Sequence, residues 1–296
     1  MRIILFGGSG QIGFELNCSL GMIGDIFSPD RYALDLYDKN SVNEYLAQIE
    51  PDLIINAAAW TDVDAAEKNQ SLASRLNIDL VSQLADYSYK NSVWFIHYSS
   101  DYVFNGTGDT PWKEDDVTAP INFYGKTKEE GEKAIQKICS KYIIFRTSWV
   151  YSARRKNFMK TILKLAVTGN SLSIVTDQIG SPTPARLIAE ITLLAIRKRL
   201  EAGIYNLATT GKTSWHGFAE AILDILITKK IMSNADNIKI LPILTKDYFS
   251  QAIRPLNSQL DVTKLEDALN IRLPSWESQL NLFCNEYLES KLLRGN

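Results

Sequence analysis

The sequence predicts an α/β protein: a doubly wound parallel sheet followed by a smaller C-terminal α/β lobe. Three observations carry this reading. Short apolar runs recur between polar or turn residues, longer amphipathic stretches lie between them, and the rhythm changes after about Tyr151. Apolar runs without alternation are the mark of strands buried on both faces, and stretches with helical spacing between them supply the crossovers that parallel pairing requires.

Taken in order, "RIILFG" reads as the first strand and leads through a glycine-rich turn into a helix. "SVNEYLAQIE" reads as a helix, "DLIINAAA" as a strand, and "SLASRLNIDLVSQLADYSYK" as a long helix. "VWFIHYSS" is the next strand, "FYGKTKEEGEKA" a helix and "YIIFRTS" a further strand. Beyond them "NFMKTILKLAV" and "ARLIAEITLLAIRKRL" have helical spacing, "GIYNLA" suits a short strand, and "SWHGFAEAILDIL" is a helix opened by a serine cap. Residues 1–150 are therefore expected to form the sheet domain. Residues 151–296 are expected to form mostly the lobe, with some segments returning to the first domain.

Composition narrows the function classes. A chain of 296 residues with 45% hydrophobic residues, 22% charged residues and a net charge of -2 has an ordinary globular make-up. Neither nucleic acid nor membrane is an expected partner, since basic clusters such as Arg154-Arg155-Lys156 are short and no run approaches the ~18 apolar residues of a span. Cys18, Cys139 and Cys284 are odd in number and scattered, so they form neither a disulfide framework nor a zinc spacing, and a reducing cytoplasm is expected. His97 and His216 cannot supply a multi-histidine metal site and read as structural polar residues.

Gly7, Gly10 and Gly13 in "GGSGQIG" follow the first strand and open a helix, with Gln11 and Ile12 between the last two. In that context bare backbone lets amides reach a pyrophosphate while the helix N-terminus faces its charge, so the reading is a Rossmann-like dinucleotide loop for NADPH or NADH. Asp30 lies 17 residues beyond Gly13, where an acidic residue commonly meets the adenosine ribose. Arg31 follows it and suits a 2'-phosphate, so the pair leaves the choice of cofactor open.

Tyr124 and Lys128 are four apart, hence one turn apart on one helix face. Ketone reduction needs a hydride and a proton, and a tyrosine can give the proton if an adjacent ammonium lowers its pKa of ~10 toward neutrality. Ser100 lies 24 residues before Tyr124, at the C-terminal end of a strand, where open α/β sheets bind ligands. It completes a Ser/Tyr/Lys set in which its hydroxyl stabilises charge on the carbonyl oxygen.

On these residues the chain resembles the dTDP-4-dehydrorhamnose reductase family of extended short-chain reductases. The stretches that carry the likeness are "LFGGSGQIGFEL", "PDLIINAAAWTDVDAAE", "IHYSSDYVFNGTGDTPWKEDD", "TAPINFYGKTKEEGEKA", "IFRTSWVY", "DQIGSPT" and "RPLNSQLD". The resemblance implies NAD(P)H-dependent reduction of a dTDP-4-keto sugar, with Tyr124 as proton donor and Lys128 as its partner and a ribose ligand. It implies adenine contacts at Asp35 and Leu36, nicotinamide and ribose contacts at Ala59, Thr61 and Tyr98, a further cofactor contact at Ala58, and substrate contacts at Ser100, Asp101, Tyr124 and Trp149. The nucleotide would be anchored by the lobe. Arg254, in "RPLNSQLD", is a candidate for a diphosphate, because its fork of donors suits phosphate oxygens.

Two alternatives stay open: a reductase of another nucleotide-4-keto-6-deoxysugar, and a non-catalytic regulatory subunit of the same fold. A dehydratase is disfavoured, because Asp101 is followed by Tyr102 and not by a second carboxylate. Many family members have threonine at the position of Ser100. Some are dimers that share a magnesium ion held by glutamates; Glu15 keeps the first such position, but Arg186 stands at the second, and a guanidinium repels a cation. No metal and a monomer or weak homodimer are therefore expected, with Glu190 as the i,i+4 partner of Arg186.

Overall fold

A computed structural model describes residues 1–168, 171–229 and 239–292. Six parallel strands form the main sheet: β1 (Arg2–Phe6), β2 (Asp25–Phe27), β3 (Leu53–Asn56), β4 (Trp94–Ser100), β5 (Tyr142–Thr147) and β6 (Gly203–Asn206). Their order is β6-β5-β4-β3-β1-β2, parallel throughout. The chain runs from β1 outward to β2 and then crosses to β3, so the direction of winding reverses between β1 and β3. Crevices at such a reversal, beyond the C-terminal strand ends, are where this architecture takes ligands.

Burial on both faces explains the continuous apolar runs. Ile3, Ile4, Leu5 and Phe6 of β1 are wholly buried, each stabilising the fold by roughly 1.5–3 kcal/mol. One face is covered by α1 (Gln11–Leu20) and α5 (Ala185–Lys198) through Leu16, Leu20, Ile188 and Ile191. The other is covered by α2 (Lys39–Ile49), α3 (Leu80–Asn91) and α4 (Phe123–Ile138) through Val42, Leu46, Leu84 and Ile135. A separate core in the C-terminal half gathers Met159, Ile162, Phe218, Ile222 and Trp276. Although β6 and α5 come late in the chain, β6 pairs with β5 and α5 lies against α1.

The stretch expected as one long helix before β4 is divided. A helix at Gln70–Ser74 passes into a π-helical turn at Arg75–Asp79 before α3 begins. Buried Asn77 sits in that turn: its Oδ1 accepts from Trp60 N at 2.9 Å, and its Nδ2 donates to Trp60 O at 3.1 Å and to Thr127 Oγ1 at 2.9 Å. These bonds tie α4 to the loop after β3. A second tie is the buried ion pair of Arg146 with Glu132, Nη2 to Oε2 at 2.7 Å, which joins β5 to α4.

Arg186 departs from the pairing expected for it. It opens α5 facing α1 and the C-terminal helix Trp276–Leu292, so its Nη1 meets the Glu286 carboxylate at 2.5 and 2.7 Å and its Nε lies 3.8 Å from Glu15. The direct partners are thus on neighbouring helices; Glu190 is felt only as a nearby charge. Among the described residues, no group of three or more His, Cys, Asp or Glu side chains is placed to hold a metal. No described helix is long and apolar enough to cross a membrane.

Candidate active site

The C-terminal ends of β1, β3, β4 and β5 open into one cavity of about 770 Å³, walled on the far side by the lobe. Gly7, Gly10, Gln11 and Ile12 line it at one end, with Arg31, Ala58, Ala59, Thr61 and Tyr98 beside them. Ser100, Asp101, Tyr124, Lys128 and Trp149 line the same cavity. Residues as far apart in sequence as Gly7 and Trp149 are thus brought to one place by the strand ends.

The glycine loop fits a dinucleotide on this structure's own geometry. Gly7 has φ of 80°, and a Cβ there would fall 2.5 Å from Ala58 N, so only glycine permits the close backbone approach at the turn. Gly13 lies behind the loop against Gly7, off the cavity wall. Gln11 is fixed from the lobe side, its Oε1 accepting from Asn157 Nδ2 at 2.8 Å and from Ser152 Oγ at 3.1 Å. Loop backbone, helix N-terminus and polar side chains could together hold a pyrophosphate.

Asp30 and Arg31 diverge. Asp30 Oδ1 accepts from the amides of Tyr32 and Ala33, both at 2.9 Å, which turns the chain and engages the carboxylate locally. Arg31 faces the cavity with Arg155 and Lys156. Asp35 likewise caps a turn, accepting from Tyr37 N at 2.9 Å, and Leu36 packs on the core beyond the cavity wall.

The helix bearing Tyr124 and Lys128 is placed by its cap. Asn122 Oδ1 accepts from Gly125 N at 2.8 Å, and Glu67 Oε1 accepts from Phe123 N at 2.8 Å. Lys128 is almost wholly buried, and its Nζ donates to Tyr98 O at 2.7 Å and lies 3.3 Å from His97 Nε2. His97 Nδ1 in turn lies 3.3 Å from the Asn56 amide. Burial and the neighbouring lysine hold the imidazole well below its usual range, so it is neutral. His97, expected as a structural polar residue, backs the lysine, a contact for which the sequence carries no signal.

Electrostatics correct a second expectation. Tyr124 is not drawn toward neutrality: burial pushes it up to about 12, with the Ser100 hydroxyl opposing and the Asp101 carboxylate adding to the rise. Burial is the main cause; the lysine that was to stabilise the phenolate is itself anchored on the Tyr98 carbonyl. Burial also lowers Lys128 to about 8 and raises Asp101 to about 6. Ser100 Oγ donates to Asp101 Oδ1 at 2.9 Å and accepts from Tyr102 N at 3.2 Å. Tyr102 packs edge-on against Tyr124, ring centroids 5.6 Å apart.

Arg254 does not reach the cavity wall. Its guanidinium grips Asp64, Nη2 to Oδ2 at 2.7 Å and Nη1 to Oδ1 at 3.2 Å, while Asp64 also accepts from the amides of Gln251 and Ala252. That arginine therefore already has its carboxylate, and it ties the lobe to the residues following Thr61. The lobe contributes aromatic residues that sequence reading passed over: Phe158, Trp215 and Phe218 line the cavity beside Trp149.

The chain matches the family model described as RmlD substrate binding domain over residues 1–289. It is 42% identical over 285 residues to a dTDP-4-dehydrorhamnose reductase of Salmonella typhimurium, a match covering 94% of this chain and 95% of the relative. Among solved structures, a dTDP-4-dehydrorhamnose reductase of Clostridium acetobutylicum superposes with a TM-score of 0.89 at 31% identity, covering 96% of this chain and 99% of that one. The Bacillus anthracis dTDP-4-dehydrorhamnose reductase in complex with NADP gives 0.88 at 34% identity, with the same coverage.

Proposed function

Since this chain belongs to the dTDP-4-dehydrorhamnose reductase family, we propose that it reduces the C4 ketone of dTDP-4-dehydro-L-rhamnose to dTDP-L-rhamnose with NADPH or NADH. The observation that carries the reading is the convergence of Ser100, Tyr124 and Lys128 on the cavity that begins at the glycine loop. Gly7, Gly10, Gln11, Ala58, Ala59, Thr61 and Tyr98 would hold the cofactor, which supplies a hydride when bound.

The residues then have distinct tasks. Tyr124, a phenol throughout the neutral range, gives its proton to O4 as charge builds there; a general acid of this kind is worth on the order of 10²- to 10⁴-fold in rate. Ser100 turns its proton from Asp101 to the same oxygen and lowers the cost of that charge. Lys128, fixed on the Tyr98 carbonyl, keeps a positive charge below the reacting centre and stands ready for a ribose hydroxyl. Asp101 meets the sugar's hydroxyls, and the apolar walls exclude water. Unpaired Cys18, Cys139 and Cys284 accord with a cytoplasmic setting.

The test couples the purified protein to enzymatically generated dTDP-4-dehydro-L-rhamnose and follows NADPH absorbance while the product sugar is identified. Cofactor oxidation with an L-rhamno product supports the reading. A talose-configured product would assign the chain to a sister reductase, and no oxidation would leave the regulatory-subunit reading in its place.

A further inference from the structure

We propose that Trp215 is a positioning residue for the sugar nucleotide: it holds Trp149 so that the two indoles form an aromatic wall for the apolar face of the deoxyhexose. The proposal rests on the reductase reading and extends it to a residue outside the Ser100, Tyr124 and Lys128 set.

Trp149 has φ of 49°, in the left-handed region that a bulky side chain rarely adopts. Such strain persists only where surrounding structure imposes it, and it concentrates at ligand sites. Here the imposing structure is visible. The Trp149 and Trp215 rings are stacked with centroids 3.6 Å apart and planes within 9°. Gly180 makes room for the indole, since a Cβ there would lie 2.6 Å from Trp149 Cε2.

The two supports come from one small sheet. Strands Thr213–Ser214 and Ile179–Gly180 pair antiparallel, Thr213 opposite Gly180 and Ser214 opposite Ile179, so the residue that clears space faces Thr213, two positions before Trp215. Trp215 begins the helix Trp215–Thr228, capped by Ser214 Oγ accepting from Gly217 N at 2.9 Å. Phe158 braces its ring from the lobe core at 4.6 Å. Trp215 is thus the better anchored member, and Trp149 is the strained one that depends on it.

Both indoles line the cavity together with Ser100 and Tyr124. A 6-deoxyhexose offers C–H groups and a C6 methyl on its apolar side, the surface that an aromatic wall takes up while polar groups orient the ring. Loss of Trp215 should release Trp149 from its conformation and cost sugar binding, leaving the proton chemistry and the cofactor loop intact.

The experiment compares Trp215→Ala and Trp215→Phe in the full-length protein with NADPH. For Trp215→Ala, KM for dTDP-4-dehydro-L-rhamnose should rise by roughly tenfold, the loss expected for a stacked aromatic pair that also restrains a strained residue. The same variant should keep wild-type NADPH affinity by fluorescence titration and nearly unchanged kcat, and Trp215→Phe should restore most of the KM. A KM that stays at the wild-type value, a parallel loss of NADPH affinity, or a Phe variant as impaired as the Ala variant would overturn the proposal. If the wild-type protein leaves the ketone untouched, the reductase reading falls, and dTDP-L-rhamnose titration judges the wall independently. Weaker binding by Trp215→Ala with recovery in Trp215→Phe supports it; equal binding overturns it.

Discussion

Lys128 Nζ donates to the carbonyl oxygen of Tyr98 at 2.7 Å, so the cation one helical turn from Tyr124 is anchored on β4. Burial lowers Lys128 from 10.5 to about 8, a difference of about 3 kcal/mol between its protonation states. The unfolded chain then binds more protons than the folded one between about pH 8 and 10.5. The penalty for the buried ammonium is full below about 8 and fades as pH rises through that window. Urea unfolding of wild type and Lys128→Met should therefore show wild type gaining relative stability between about pH 7 and pH 10. A stability difference that does not change with pH contradicts this.

Ser100 is expected to tolerate threonine and not alanine. Its backbone is extended, with φ of -140° and ψ of 155°, which a β-branched residue adopts readily, and threonine keeps the hydroxyl that Asp101 and Tyr102 N address. Ser100→Thr should keep near wild-type kcat, whereas Ser100→Ala should lose about 10²- to 10³-fold, the scale for one donor to a developing oxyanion. Steady-state kinetics on both variants decides it, and equal turnover in the alanine variant removes Ser100 from the chemistry.

Arg31→Ala should weaken NADPH binding on the order of tenfold while leaving NADH nearly unchanged, because a charge-assisted contact to the 2'-phosphate is lost. The structure favours this over a contest with Asp30, whose carboxylate is engaged by the amides of Tyr32 and Ala33. Fluorescence titration with the two cofactors measures the ratio. Equal weakening would mean that Arg31 does not meet that phosphate.

How far the site could be read from sequence depended on the kind of interaction. The strands, the glycine turn and the Tyr124–Lys128 spacing are local patterns with fixed periods, and they appear in the structure where the pattern places them, with β4 ending at Ser100 and α4 opening at Phe123. The π-helical turn around Asn77 was not readable, because it answers to Trp60 and Thr127, residues 17 and 50 positions away. The same holds for His97 beneath Lys128, for the Asp64 grip on Arg254, and for Trp215 against Trp149. Each is a contact between distant segments, and residue type alone does not say which partner folding will supply.

Arg186 stands between Glu15 and Glu286, where it supplies the positive charge that the two carboxylates share. Mass in solution and activity should therefore be unchanged by EDTA. Arg186→Glu would leave Glu15, Glu190 and Glu286 beside a further carboxylate without a cation, and should make the protein responsive to magnesium. Light scattering with and without chelator reads both. A wild-type dimer that dissociates in EDTA and re-forms with magnesium would show that the carboxylates bind metal despite the arginine.

In the proposed reaction Tyr124 protonates O4 of a ketone reduced at C4. The most direct measurement uses NADPH deuterated at the transferred position, with dTDP-4-dehydro-L-rhamnose, and locates the label by NMR of the product. Wild type should place deuterium at C4 of an L-rhamno sugar. For Tyr124→Phe the rate should be lower by about 10²- to 10⁴-fold with NADPH affinity retained. Label at another carbon, or a Tyr124→Phe variant that delivers deuterium to C4 at the wild-type rate, would contradict it.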